Sequence, residues 1–235
     1  KQLKEFKVEV DKLIKSKKMK KDDAIFNVLR EYIKQSKKIR FEGDGYGEAW
    51  EKEAAKRGLS NNRTTPEALK AQIFKKAVQL YGDLGVMNKI EIEARHEIEL
   101  EEYTMRVQIE GRVLGDIARN HVIPTAIRYQ NILIKNVTGL KSIYGEDYQK
   151  HAKEQLDLIE RVSTHIAVIN SKVNAMIDAR KVANKLDDLQ QKAESYCNEV
   201  KPHFDEIRYH CDKLELLVDN ELWPLTKYRE LLFTR

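Results

Sequence analysis

Cysteine is nearly absent. Cys197 and Cys211 are the only two in 235 residues, too few for a disulfide framework, and this usage points to a reducing cytoplasm. If Lys201-Pro202 marks a hairpin turn, Cys197 lies opposite about position 206, so no bridge to Cys211 is expected. Only 10 Gly and 4 Pro interrupt the chain, which disfavours a loop-rich or turn-rich fold. No apolar run approaches the roughly 18 residues needed to span a bilayer, and no signal peptide is visible, so no membrane partner is expected. There is no GxSxG, no HExxH and no Cys-His pair with an orienting acid, which removes the common self-contained hydrolases. Internal repeats and low-complexity tracts are also missing.

What remains is 41% hydrophobic and 34% charged residues, the mix of a soluble, mostly helical protein. At 27.5 kDa the chain can bury a real core as one large or two small domains. It opens at Lys1 without Met, inside a helical pattern, and is therefore expected to be a piece of a longer protein. The net charge of +5 is uneven: residues 1–40 hold 14 Lys/Arg against 6 Asp/Glu. The densest run, KSKKMKK from Lys15 to Lys21, has no aromatic on which bases could stack. It reads as a solvated turn between two helices, and no nucleic-acid partner is expected.

The pattern is all-α, a multi-helix bundle organised around the run from Asn88 to Asn136. Ile90, Ala94, Ile98, Met105 and Ile109 form one stripe there, and Ile92, Leu100, Tyr103, Val107 and Leu114 form another. A helix with two apolar stripes needs cover on both sides, so it is expected at the centre of the bundle. Pro124 should kink or break it between Asn120 and Ile123. Spacing resumes at Ile127 and Ile134, and Gly139 to Gly145 closes the segment.

Upstream, Leu3, Phe6, Val10, Leu13 and Ile14 mark a helix from Lys1 to about Ile14. Asp22 or Asp23 is placed to cap a second, with Ile25, Val28, Leu29, Tyr32 and Ile33 inward. A short helix through Trp50 and Ala54 should end on Gly58. Thr65-Pro66-Glu67 reads as a cap, first-turn proline and acid opening a helix over Leu69, Ile73, Phe74, Ala77, Val78 and Tyr81, stopping at Gly82 or Gly85. Asn88 to Glu91 has the form of a capping box for the central helix. From Glu146 to Val200 there is neither Gly nor Pro, and Ala152, Leu156, Ile159, Ser163, Ile166, Val173 and Ile177 step in threes and fours. Leu186, Leu189, Ala193, Tyr196 and Val200 follow. The seam restarts after Pro202 with Phe204, Ile207, Cys211, Leu214 and Val218, predicting an antiparallel helical hairpin. Asn220 to Pro224 makes a corner, and Leu225 to Phe233 should cap the bundle.

Few residues suggest chemistry. GDGYG, Gly43 to Gly47, follows no strand and precedes no P-loop lysine, so a tight turn is expected. His203, Glu206 and His210 share a helix face, but zinc needs further ligands and no cysteine is in register. Glu91, Glu93, Glu97, Glu99, Glu101 and Glu102 stand among Lys89, Arg95 and Arg106, favouring ion pairs along the helix over catalytic carboxylates. Gly111 and Gly115 form GxxxG, a tight helix crossing. No residue of the chain is expected to be catalytic, to hold a cofactor or to bind a metal.

Two stretches together resemble a known family. GDGYGEAWEKEAAKRGLSNNRTTPEAL (Gly43 to Leu69) resembles the segment after the catalytic barrel of type III glutamine synthetases, the long bacterial class. IEARHEIELEEY (Ile92 to Tyr103) and ARNHVIPTAIRYQN (Ala118 to Asn131) resemble the helical region that comes next in those enzymes. The likeness spans about residues 1–140, with a Gly-rich connector at 41–47; residues 146–235 fit the family's C-terminal helical extension by position and character. It implies a parent ligase joining ammonia to glutamate through a γ-glutamyl phosphate, using ATP and divalent metal (Mg or Mn) in ring-stacked oligomers. It also implies that the metal-binding, ATP-binding and catalytic segments lie upstream of Lys1. Partners would then be the chain's own catalytic domain and neighbouring subunits of a homo-oligomer. The isolated 235 residues are expected to be inactive. The alternative is an independent helical protein–protein interaction module.

Overall fold

The structure, a computed structural model, describes residues 2–233; Lys1, where the first helix was expected to open, lies outside the described residues. The described residues are helical, with no strand among them, so the all-α expectation holds. They pack as two compact units.

The first unit comprises the residues up to 63 together with 74–89. Helices α1 (Gln2–Lys17) and α2 (Lys21–Gln35) form a hairpin around Val10, Ala24 and Val28, with Phe6, Leu13, Ile14 and Tyr32 packed against them. The lysine run makes the turn, where Lys18 adopts φ 50° and Met19 tucks into the hairpin core. Two expectations for α2 are corrected. The cap position is Lys20, without a side-chain bond, and Asp22 and Asp23 lie within the first turn, where their charge faces the positive helix end. Leu29 and Ile33 are exposed, because the single neighbouring helix covers a narrower stripe than the sequence offers. Helix α3 (Glu48–Lys56) ends as expected on Gly58 at φ 71°.

The second unit comprises 64–73 and the chain from 90 onward. Helix α4 (Thr65–Lys70) is capped by Thr64, one residue earlier than expected; the Thr64 N–H donates to Glu67 Oε2 at 3.3 Å, completing a capping box. The single helix expected across Leu69 to Tyr81 is broken. A 3-10 turn at Ala71–Ile73 and an extended Phe74 separate α4 from α5 (Lys75–Asp83), and Ile73 and Phe74 are exposed. No Gly or Pro marks that break.

Helix α6 (Lys89–Ile117) buries Ile92, His96, Leu100, Val107, Gly111 and Gly115. The other stripe is not covered: Ile90 is 77% exposed, Ile98 62%, and Met105 and Ile109 53% each. This overturns the central position expected for α6. The central element is α8 (Tyr148–Ala183), whose Ala152, Val162, Ile169, Val173 and Ala183 are sealed from solvent. Helix α7 (Ile123–Tyr144) packs on α8, and α10 (Pro202–Leu217) packs on α8 as well.

Both prolines within the helical runs are absorbed the same way. Pro124 has no N–H for the carbonyl of Asn120, and its ring crowds that carbonyl. The chain widens into a π-turn at Ala118–Val122, and the Ile123 N–H reaches back five residues to Ala118 O. Pro202 repeats this with a π-turn at Tyr196–Val200, where Lys201 N donates to Tyr196 O at 3.0 Å. Each widened turn rotates the following face by about 100°. Ala118, Val122, Ile123, Thr125, Ala126 and Leu133 are therefore buried, while Ile127 and Ile134, where the spacing was expected to resume, are exposed. Gly139 lies inside α7, and Gly145 alone ends it, at φ 58°.

The C-terminal hairpin is present, but its reversal falls at Asn184–Asp188 and not at Pro202. Asp188 Oδ1 accepts from Gln191 N at 2.7 Å and so opens α9 (Leu189–Ser195). The seam expected from Ala193 to Val218 is the one observed: Ala193, Tyr196, Val200, Ile207, Leu214 and Val218 are all buried. Beyond it the chain turns, seating Trp223 and Lys227 against the end of α10 before the short α11 (Tyr228–Leu231).

Candidate functional site

The π-turn at Ala118–Val122 lies beside a concavity of the second unit. A hollow of about 290 Å³ is floored by Gly111, Gly115, Val173, Met176 and Ile177, and rimmed by Arg112, Asp116, Arg119, Asn120 and Arg180. The floor exists because two glycines on α6 leave room for a side chain of α8: a Cβ at Gly115 would stand 3.3 Å from Met176 Cε. The tight backbone crossing expected of the GxxxG pair is not what forms: the glycines face the side chains of Met176 and Phe204. Arg119 Nη2 donates to Asn174 Oδ1 at 2.5 Å, fixing one guanidinium across the two helices. The Asn120 side-chain amide donates to Asp116. Neither Arg112 nor Arg180 has an acidic partner among the described residues.

Behind the rim, Tyr196 is fully buried and donates from Oη to Asn184 Oδ1 at 2.7 Å. Gln108 Nε2 approaches the same oxygen at 3.5 Å. Burial pushes the Tyr196 phenol up, and the charges of Arg180 and Arg112 pull the other way. Arg112 and Arg180 also line the same hollow in front of this hydroxyl. Sequence reasoning missed these arginines. They come from three separate turns on two helices, and no spacing rule joins Arg180 to the pair Arg112 and Arg119.

The candidates weighed from the sequence fall elsewhere. Tyr46 N donates to Asp44 Oδ1 at 2.9 Å within GDGYG, and Gly47 N donates to Asp44 O at 3.3 Å, giving an Asx-type turn that leads into α3. Nearby in the first unit, Phe41 stacks on Trp50 at 4.3 Å, and Arg57 lies over that indole while donating to Arg40 O at 2.7 Å. His203, Glu206 and His210 do not converge: Glu206 pairs with Lys172 of α8, and His210 meets His165 of α8, Nδ1 to Nδ1, at 2.8 Å. That separation needs one ring to donate and the other to accept. Burial, then the charge of His210, holds His165 below the ordinary histidine value.

Of the α6 glutamates, Glu102 pairs with Arg106, and Glu99 accepts from Gln72 Nε2 at 3.0 Å. Cys197 and Cys211 are free thiols, and burial pushes Cys211 up to about 11, away from thiolate chemistry. Among the described residues no three His, Cys, Asp or Glu side chains stand together as metal ligands. No helix among the described residues is long and apolar enough to cross a membrane.

Comparison with known proteins gives the chain relatives. A glutamine synthetase of Bacteroides fragilis is 46% identical over 235 residues, covering 100% of this chain and 32% of its own length. A type-3 glutamine synthetase of Dictyostelium discoideum is 29% identical over 96% of this chain and 31% of its own length. A glutamine synthetase of Butyrivibrio fibrisolvens is 26% identical over 90% and 30%, respectively. The chain thus spans about a third of the length of these relatives, and the likeness runs through the C-terminal hairpin, which carries no motif of its own. Residues 24–141, half of the chain, match the glutamine synthetase C-terminal domain, and the chain belongs to that family.

Proposed function

We propose that this chain is the C-terminal helical part of a cytoplasmic ATP-dependent ligase that makes glutamine from glutamate and ammonia. Its role is to hold the catalytic domain and neighbouring subunits together, and it is not catalytic on its own. ATP and Mg or Mn belong to the rest of that enzyme. One observation carries the reading: the outer stripe of α6 (Ile90, Ile98, Met105, Ile109, continued by Val113) stays in water when this chain folds alone. A contiguous apolar face of that length marks an interface, and the share of the relatives' length missing from this chain supplies something to cover it. The free thiols fit a reducing compartment.

The test is a glutamine-formation assay with saturating ATP, glutamate, ammonia and Mg or Mn. The purified 235 residues should give no product, while the natural full-length polypeptide does. Ile98→Asp with Ile109→Asp in that polypeptide should dissociate the assembly or strip its activity. Product from the short chain, or an active, intact assembly with both aspartates, would overturn the reading.

A further inference from the structure

Three guanidiniums with one carboxylate around a single hollow leave a surplus of positive charge. In the chain as it stands, neither Arg112 nor Arg180 is ion-paired among the described residues, and the single carboxylate, Asp116, which also accepts from Asn120, offsets one of the three positive charges. Like charges gathered on a rim repel one another, and an anion seated between them turns that repulsion into attraction. Arginine suits the task, since its planar fork pairs two N–H groups with carboxylate or phosphate oxygens. The floor of Gly111, Gly115, Val173, Met176 and Ile177 is apolar and closes the hollow from below. The π-turn before Pro124 supplies Arg119 and Asn120 to the rim. Asn174 already holds Arg119 in place, so part of the site is formed before any ligand arrives.

We propose that the hollow between α6 and α8 binds a small free anion, a phosphate or a short dicarboxylate, through Arg112, Arg119 and Arg180. The volume of about 290 Å³ suits a small metabolite-sized anion and not a whole nucleotide. The Asn120 amide is placed to share the rim, and Met176, flexible at its end, can adjust to the ligand's body. With Arg112 on α6 and Arg180 on α8, occupancy would stiffen the contact between those helices. This reading is independent of whether the parent makes glutamine.

The test is arginine footprinting with phenylglyoxal, read by mass spectrometry on the natural full-length polypeptide, with inorganic phosphate or succinate added at constant ionic strength. Saturable protection of Arg112, Arg119 and Arg180 by either anion, with exposed Arg30 unaffected, is the expected result. Which anion protects at lower concentration identifies the class. Arg180→Gln should raise the half-protecting concentration for the remaining two arginines about tenfold, the loss expected of one charge-assisted contact. Arg30→Gln should leave it unchanged. The proposal is overturned if neither anion changes the reactivity of these three residues, whether they are reactive throughout or unreactive throughout. Protection that Arg180→Gln does not weaken would overturn it equally.

Discussion

Adding a methyl group to Gly111 should destabilise the protein, although the same change elsewhere on this helical run should stabilise it. Alanine gains about 1 kcal/mol over glycine in a helix interior. At Gly139 nothing lies within 4 Å of the added Cβ, so Gly139→Ala should keep that whole gain. At Gly111 the Cβ meets Phe204 Cε1 and Cζ at 3.2 Å and Met176 Sδ at 3.6 Å. Phe204, a ring held on α10, must give by a few tenths of an ångström, while Met176 of α8 at ordinary contact leaves it no slack on that side. Overpacking of that kind costs about 1–3 kcal/mol and outweighs the propensity gain. Gly111→Ala should therefore fall about 1–3 kcal/mol below Gly139→Ala. Gly115→Ala should lie between them, because its nearest contact, Met176 Cε at 3.3 Å, is the free end of a flexible side chain. Urea unfolding midpoints with a common slope give the ordering directly. A Gly111→Ala protein as stable as Gly139→Ala would refute the tight three-helix contact.

The remaining predictions concern the hairpin. His165 is held below the ordinary histidine value, so the folded state resists its protonation; stability is intact above about pH 6.5 and is lost as pH falls through the lowered value. The facing groups are His210, Arg161 and Lys213, with Glu206 near His210, and a melt series from pH 7.5 to 5 should show a shallower loss for His165→Gln than for wild type. Equal slopes would remove the His165–His210 contact from the account. Lys227 is buried and donates to Glu215 O at 2.6 Å and Val218 O at 3.3 Å, closing the negative end of α10; Lys227→Met should cost roughly 1.5–3 kcal/mol and speed amide exchange in the last turn of α10. Unchanged exchange there would contradict it. Asp188→Ala removes the cap of α9 and should cost about 1 kcal/mol in a denaturant titration, whereas Asp187→Ala should cost little.

Much of the fold was legible because helices announce themselves by period. The seam from Ala193 to Val218 and the α1–α2 hairpin could be read from spacing alone, and Gly58 and Gly145 ended helices where left-handed backbone demands glycine. Proline was harder. Pro124 and Pro202 each read as a break, but a widened turn satisfies the backbone nearly as well and lets the helix continue, so the reversal lies at Asn184–Asp188 instead. That stretch has neither Gly nor Pro, only the Asp188 cap. The double stripe of α6 was read correctly as two faces and wrongly as two covered faces, because a sequence cannot say whether the cover lies within the same chain. The arginine hollow was illegible: Arg112, Arg119 and Arg180 meet only once the hairpin has closed.

The outer face of α6 offers the most direct measurement. Met105 lies on the exposed stripe and Met176 is buried at the α6–α8 contact, so peroxide oxidation reads both in one digest. In the 235-residue chain Met105 should oxidise fast and Met176 slowly, and in the natural full-length polypeptide Met105 should slow to the pace of Met176. Equal, rapid oxidation of Met105 in both would contradict the claim that this stripe is built to be covered by the rest of the enzyme.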